Sequence, residues 1–148
     1  MNKREFLERI TELEKLIRIE HELHQDQMAA ILGISKKTLV ESEKGRRLLG
    51  WTEAVALVSI FSDSAILQNA FGGELSDLIR ALAFEDVEVH HPQTMGGHVW
   101  WTDVEETQGL RIQRNIISGH YRLLDAQDAR LISSFSLDEI YEYLKHQQ

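Results

Sequence analysis

The sequence predicts an α+β chain: an all-α N-terminal domain of five helices over residues 1–72, followed by a small antiparallel-sheet domain with flanking helices over residues 73–148. Three features carry that reading. Apolar residues recur with the helical period as far as Phe71, Gly72-Gly73 then interrupts the chain, and beyond Gly96-Gly97 the pattern changes to short β-branched and aromatic runs separated by turn residues.

Residues 5–23 set Phe6, Ile10, Leu13 and Ile17 at helical spacing, with Leu16, Ile19 and Leu23 widening the apolar stripe, so one long amphipathic helix is expected there. A second helix fits residues 25–32 and stops at Gly33, which adopts the left-handed conformation without steric cost. Ile34 then plugs the core, Ser35 caps a third helix that runs to about Lys44, and Gly45 ends it. Thr52 is the expected cap of a fourth helix over 53–62, with Leu57, Val58, Ile60 and Phe61 turned inward, and Ser64 caps a fifth. Past the glycines, 75–84 reads as a further helix. Four strands follow at 99–104, 110–117, 120–124 and 131–135, joined by connections too short for parallel crossovers, which makes the sheet an antiparallel meander. Ser136 and Glu139 have the spacing of a capping box for a last helix bearing Leu137, Ile140, Tyr141 and Leu144.

Composition is that of a folded protein, with 43% hydrophobic and 27% charged residues and one proline. No apolar stretch approaches the ~20 residues of a membrane span and no cysteine is present, so a cytosolic chain is expected, without disulfides, thiolate metal sites or thiol nucleophiles. The net charge of −8 opposes phosphate binding at first sight, but it is unevenly spread. Residues 1–70 hold 10 Lys plus Arg against 11 Asp plus Glu, whereas residues 71–148 hold 6 against 13. Within 36–47, Lys36, Lys37, Lys44, Arg46 and Arg47 face only Glu41 and Glu43, a local +3.

That basic segment closes the stretch HQDQMAAILGISKKTLVESEKGRR, residues 24–47. Two short helices about a turn at Gly33, with small Ala29 where they cross, form a corner that presents the second helix outward. Together with Arg18, the marks Gln25, Ala29, Gly33, Ile34, Leu39, Glu43 and Gly45 resemble the Xre and Cro/cI-type helix-turn-helix regulators of phages and bacteria, over residues 18 to about 70. The resemblance implies a lambda-repressor-like domain that inserts helix 35–44 into the major groove of double-stranded DNA. It implies phosphate contact by Gln25, base reading by Lys36, Lys37 and Glu41, methyl or phosphate contacts from Thr38 and Val40, backbone contacts from Lys44, Arg46 and Arg47, and a structural salt bridge between Arg18 and Glu43. It further implies a transcription regulator, most often a repressor, acting as a homodimer on a palindromic operator. The sequence departs from the family pattern at His24, where Ser or Thr is usual, and at Ser42, where an apolar residue is usual.

The second half leaves several readings open. His90, His91 and His98, near Asp86, Glu88 and Asp103, are weak metal-ligand candidates whose spacing matches no known motif, and no cofactor is called for. Adjacent strand positions send Trp100 and Trp101 to opposite faces, one into the core and the other under the last helix, onto a ligand or into a dimer interface. Asp103, Glu105, Glu106, His120 and Asp125 supply acids and a base, but no catalytic motif organises them, so no enzyme is expected. The acidic domain is a candidate for dimerisation, for sensing a small molecule or metal, or for binding a protein partner in the manner of antitoxins and phage regulators.

Overall fold

A computed structural model describes residues 1–90 and 100–147 and shows a mixed helix and sheet protein. The chain divides into two compact units, Met1–His90 and His91–Gln148.

The first unit is entirely helical: α1 (Lys3–Glu20), α2 (Gln25–Leu32), α3 (Lys36–Glu43), α4 (Trp51–Ile60), α5 (Ala65–Phe71) and α6 (Leu75–Ala83). Six helices therefore replace the expected five, and the boundary expected at Gly72-Gly73 moves to His90. The cause is burial: Leu75 and Leu82 of α6 join the core formed by Phe6, Ile10, Ile17, Met28, Leu39, Leu57 and Leu67, so the two glycines mark a helix-to-helix turn. Gly72 takes φ 83°, the left-handed cap geometry of α5.

Helix ends follow the local chemistry. Asn2 and Glu5 form a reciprocal capping box that starts α1 earlier than the apolar stripe suggests, and α1 stops at Glu20 where Glu22 turns to φ 54°. Leu16 and Ile19, assigned to the inner stripe, are half exposed to water at 51% and 54%. An α-helix of this unit buries a stripe only as wide as its neighbours cover. Ile60 of α4 is likewise 48% exposed. The expected cap at Thr52 is displaced by one at Gly50, because the Glu53 carboxylate reaches back to accept from the Gly50 N–H at 3.0 Å. Ser64 caps α5 by accepting from Leu67 N–H, and it donates to Glu20, whose other oxygen accepts from Ala65 N–H at 2.9 Å. The Ser64 hydrogen bond is the main reason the Glu20 carboxyl sits below its ordinary pKa. Among the described residues no single helix is long and apolar enough to cross a membrane.

The second unit is a four-stranded antiparallel meander in the order β1 (Trp101–Thr107), β2 (Leu110–Asn115), β3 (Tyr121–Leu124), β4 (Arg130–Ser134), followed by α7 (Leu137–His146). Gln108 and Gly109, both at positive φ, make the two-residue hairpin turn whose twist suits antiparallel strands. Ile112, Leu123 and Ile140 are buried between sheet and helix, with Ile132, Leu137, Tyr121, Tyr141, Tyr143 and Leu144 around them.

Three expectations fail in this unit. The sequence places Ile116, Ile117 and Phe135 in strands, but they lie beyond strand ends and are 56%, 75% and 77% exposed. Trp100 precedes β1, and Trp101 pairs with Asn115, which alternation puts on the face opposite Ile112 and α7. Trp101 thus packs away from the last helix, with the Arg122 guanidinium 3.8 Å from its ring centroid and His120 edge-on. Lastly, Ser136 makes no side-chain cap, since Glu139 accepts from the Ser134 hydroxyl and Ser134 Oγ accepts from Ser136 N–H.

Candidate nucleic-acid interface

The outward surface of α2 and α3 is built from the inside out. Gly33 at φ 72° ends α2, and the chain reverses within the short segment before Ser35, whose hydroxyl oxygen accepts from Thr38 N–H at 3.0 Å and fixes the start of α3. Leu39 is fully buried and Ser42 nearly so, which turns positions 36, 37, 40, 41 and 44 to the opposite side of α3 by the helical period. Lys36, Lys37 and Lys44 are exposed there, and Val40 and Glu41 half-buried. Ser42 compensates for its burial by donating to Thr38 C=O at 3.1 Å and accepting from Arg47 at 3.2 Å, which accounts for a hydroxyl where an apolar residue would otherwise serve.

A second set of groups locks α3 to α1. Arg18 Nη2 lies 2.7 Å from Glu43 Oε1, its Nε bonds both Glu43 oxygens, and its Nη1 donates to Leu23 C=O at 3.0 Å. The pair is largely enclosed, with side chains 13% and 5% exposed. Beside it sits Glu14, wholly buried, with no hydrogen-bond partner for either oxygen among the described residues. Burial first, and then the neighbouring Glu43 carboxylate, push the Glu14 carboxyl up to about 8, against the pull of Arg18. Glu14 is thus a neutral acid at pH 7, and the enclosed trio carries no net charge. Thr11, one turn earlier, donates to Leu7 C=O and accepts from the buried Leu49 N–H at 2.9 Å, fastening the segment after α3 to α1.

The reading of the sequence missed Glu14 and Thr11. Glu14 had a signal, since it falls four residues after Ile10 and three before Ile17, on the apolar stripe itself. Thr11 had none, because its partner is 38 residues away.

The expected contact residues divide by their partners. Lys36 Nζ is 2.7 Å from Asp26 Oδ1, Arg46 pairs with Glu41 at 3.5 Å, and Arg47 pairs with Glu53 at 3.1 Å. Thr38 is engaged by the Ser35 hydroxyl. Lys37 and Lys44 have no ion-pair partner among the described residues. Gln25, the half-buried first residue of α2, lines an open depression of about 480 Å³ with Arg18, His24, Asp26 and Lys36. The His24 imidazole makes no cap bond, and the Gln27 carboxamide instead accepts from His24 N–H at 2.8 Å.

The remaining candidates do not converge. His91 and His98 lie outside the described residues, and among the described residues no group of three or more His, Asp or Glu is placed to hold a metal ion. Asp103 accepts from Gln113, Glu105 from the Tyr141 hydroxyl, and Asp125 from two backbone N–H groups of its own turn. His120 bonds the Ser118 hydroxyl between the rings of Trp101 and Phe135.

No family model, curated protein or solved structure matches this chain.

Proposed function

We propose that the helical unit is a helix-turn-helix, lambda-repressor-like domain that binds double-stranded DNA with α3 in the major groove, and that the protein regulates transcription. One observation carries the reading: α3 is pinned from behind by Leu39, Ser42 and the Arg18–Glu43 pair, and turns Lys36, Lys37, Val40, Glu41 and Lys44 outward together. An eight-residue helix held at its back, with cations on its front, suits the width of the major groove. Lysine donates to guanine O6 and N7, and Glu41 accepts from cytosine N4. The start of α2, with Gln25 and Arg18 beside it, suits a backbone phosphate. Lys44 and Arg46 flank the helix where sugar-phosphate contacts belong, whereas Arg47 is held by Ser42 and Glu53.

One recognition helix touches too few bases for useful selectivity, so a homodimer on a palindromic operator, and repression, complete the proposal. Selection of preferred duplexes from random DNA tests it. The expected product is a palindrome with half-sites about 10 base pairs apart or a multiple of that, and Lys37→Ala should weaken binding by about 1 to 3 kcal/mol. No enrichment of any sequence, with Lys37→Ala indistinguishable from the parent, would sink the reading.

A second reading concerns the acidic unit. Asp103, Glu105 and Glu106 are exposed along the edge strand β1, which suits a protein partner of opposite charge. Recovery of a stoichiometric partner that is released by truncation after residue 90 would support it.

A further inference from the structure

The basic residues around α3 are not equally available, and the difference lies in what their carboxylate partners do. Glu53 pairs with Arg47 but also caps α4 by accepting from Gly50 N–H, so that contact belongs to the architecture of the unit. Glu41 meets Arg46 only at 3.5 Å. Asp26 differs from both. It approaches Lys36 to 2.7 Å, caps no neighbouring element, and joins the first turn of α2 to the first residue of α3 with both side chains mostly in water, 72% and 59% exposed. An ion pair so open contributes little to stability, so holding the fold together does not account for it. The hydrogen bond from Lys36, and then its charge, hold the Asp26 carboxyl below its ordinary pKa, so the carboxylate is ionised when the pair forms.

Its position is informative. Asp26 sits in the depression shared with Arg18, Gln25 and Lys36, between the N-termini of two helices. Each terminus carries partial positive charge, and such a place favours an anion with acceptor oxygens. A phosphate of a bound duplex and the Asp26 carboxylate compete there for Lys36, which in this arrangement meets the backbone and leaves the base edges to Lys37 and Glu41.

Building on the DNA-binding reading above, we propose that Asp26 is an internal phosphate mimic: it holds Lys36 in the free protein, must be displaced when DNA binds, and thereby sets operator affinity through Lys36. Asp26 is in this sense a positioning residue for Lys36. Removing its charge frees Lys36 without altering the helix, and the released cation becomes available to DNA.

The experiment is a double-substitution cycle. Full-length protein, Asp26→Asn, Lys36→Ala and the double variant are titrated by fluorescence anisotropy against a labelled duplex carrying the sequence selected by the parent protein, between 50 and 200 mM salt. Far-UV ellipticity and melting of all four should agree, since both side chains are exposed. Asp26→Asn is expected to bind about two- to fivefold more tightly at low salt, the range an exposed pair can supply. Its log K against log salt should be somewhat steeper, because the ion pair that opposes binding in the parent is itself weakened by salt. In the Lys36→Ala background the same substitution should change nothing. An equal gain in both backgrounds would mean that Asp26 merely repels DNA at a distance and would overturn the proposal, as would a gain below twofold in the parent. If none of the four proteins binds the duplex while all are folded, the DNA-binding reading falls and this proposal with it.

Discussion

Replacing Glu14 by glutamine should make the protein more stable in alkali while leaving it nearly unchanged in acid. Glu14 is fully enclosed beside Arg18 and Glu43, with no hydrogen bond to either oxygen among the described residues, and its carboxyl is pushed from 4.5 up to about 8. An acid whose pKa is higher folded than unfolded keeps a proton that the unfolded chain releases, so stability falls as pH rises from the unfolded value to the folded one. Below about pH 4.5 both states are protonated and no cost arises. Between 4.5 and 8 each pH unit costs about 1.4 kcal/mol, which comes to about 3 kcal/mol at pH 7 and levels off above pH 8. Glutamine keeps the volume of the protonated acid and cannot ionise. Urea unfolding followed by far-UV ellipticity, to which the six helices of the first unit contribute most of the signal, is compared for parent and Glu14→Gln at pH 5 and pH 8.5. Every other titrating group is common to both proteins, so the difference isolates position 14. The advantage of the variant should grow by about 3 to 4 kcal/mol between the two pH values. Parallel pH profiles, differing by less than about 1 kcal/mol, would refute the assignment of a neutral buried acid.

The same cluster predicts that Glu43→Gln lowers the Glu14 pKa, because the repelling carboxylate is gone and Arg18 is left with Glu14 as its partner; carbon NMR of the carboxyl group across pH 4 to 10 reads this directly. Thr11→Val keeps shape but leaves the buried Leu49 N–H without an acceptor, so a loss of about 1 to 3 kcal/mol is expected in denaturant unfolding. Ser35→Ala removes the acceptor for Thr38 N–H at the start of α3 and should cost about 1 kcal/mol, with faster amide exchange in the first turn of α3 as its local signature.

Much of the candidate site could be read from residue order, because its determinants are local. Gly33, Ser35 and Leu39 fix the end of one helix, the start of the next and the side that turns inward, and each acts within about one helical turn of itself. The outward direction of Lys36, Lys37 and Glu41 follows once Leu39 is inward. The pairing of Lys36 with Asp26 was not legible in the same way, since it depends on how two helices cross. Nor was the burial of Glu14: its position on the stripe was visible, but a glutamate on an apolar stripe reaches water unless a neighbouring helix covers it, and here α3 brings Glu43 against it.

Strand ends were the least legible part of the fold. Ile116, Ile117 and Phe135 have the side chains of strand residues, yet the Asn115 carboxamide accepts from Ile117 N–H and Ser118 N–H and bends the chain out of the ladder one residue after pairing stops. Local polar bonding overrode β propensity at that point.

By itself, the order of residues determined the seven helices and four strands of the described residues, the antiparallel meander and the outward face of α3, because periodicity and tight turns are set by neighbours in sequence. Tertiary structure alone decided that α6 belongs to the helical core, that Trp101 turns from the last helix to stack with Arg122, and that Glu14 is sealed beside an ion pair. Each of these depends on which surfaces meet, and burial is a property of two surfaces that neither sequence segment carries alone.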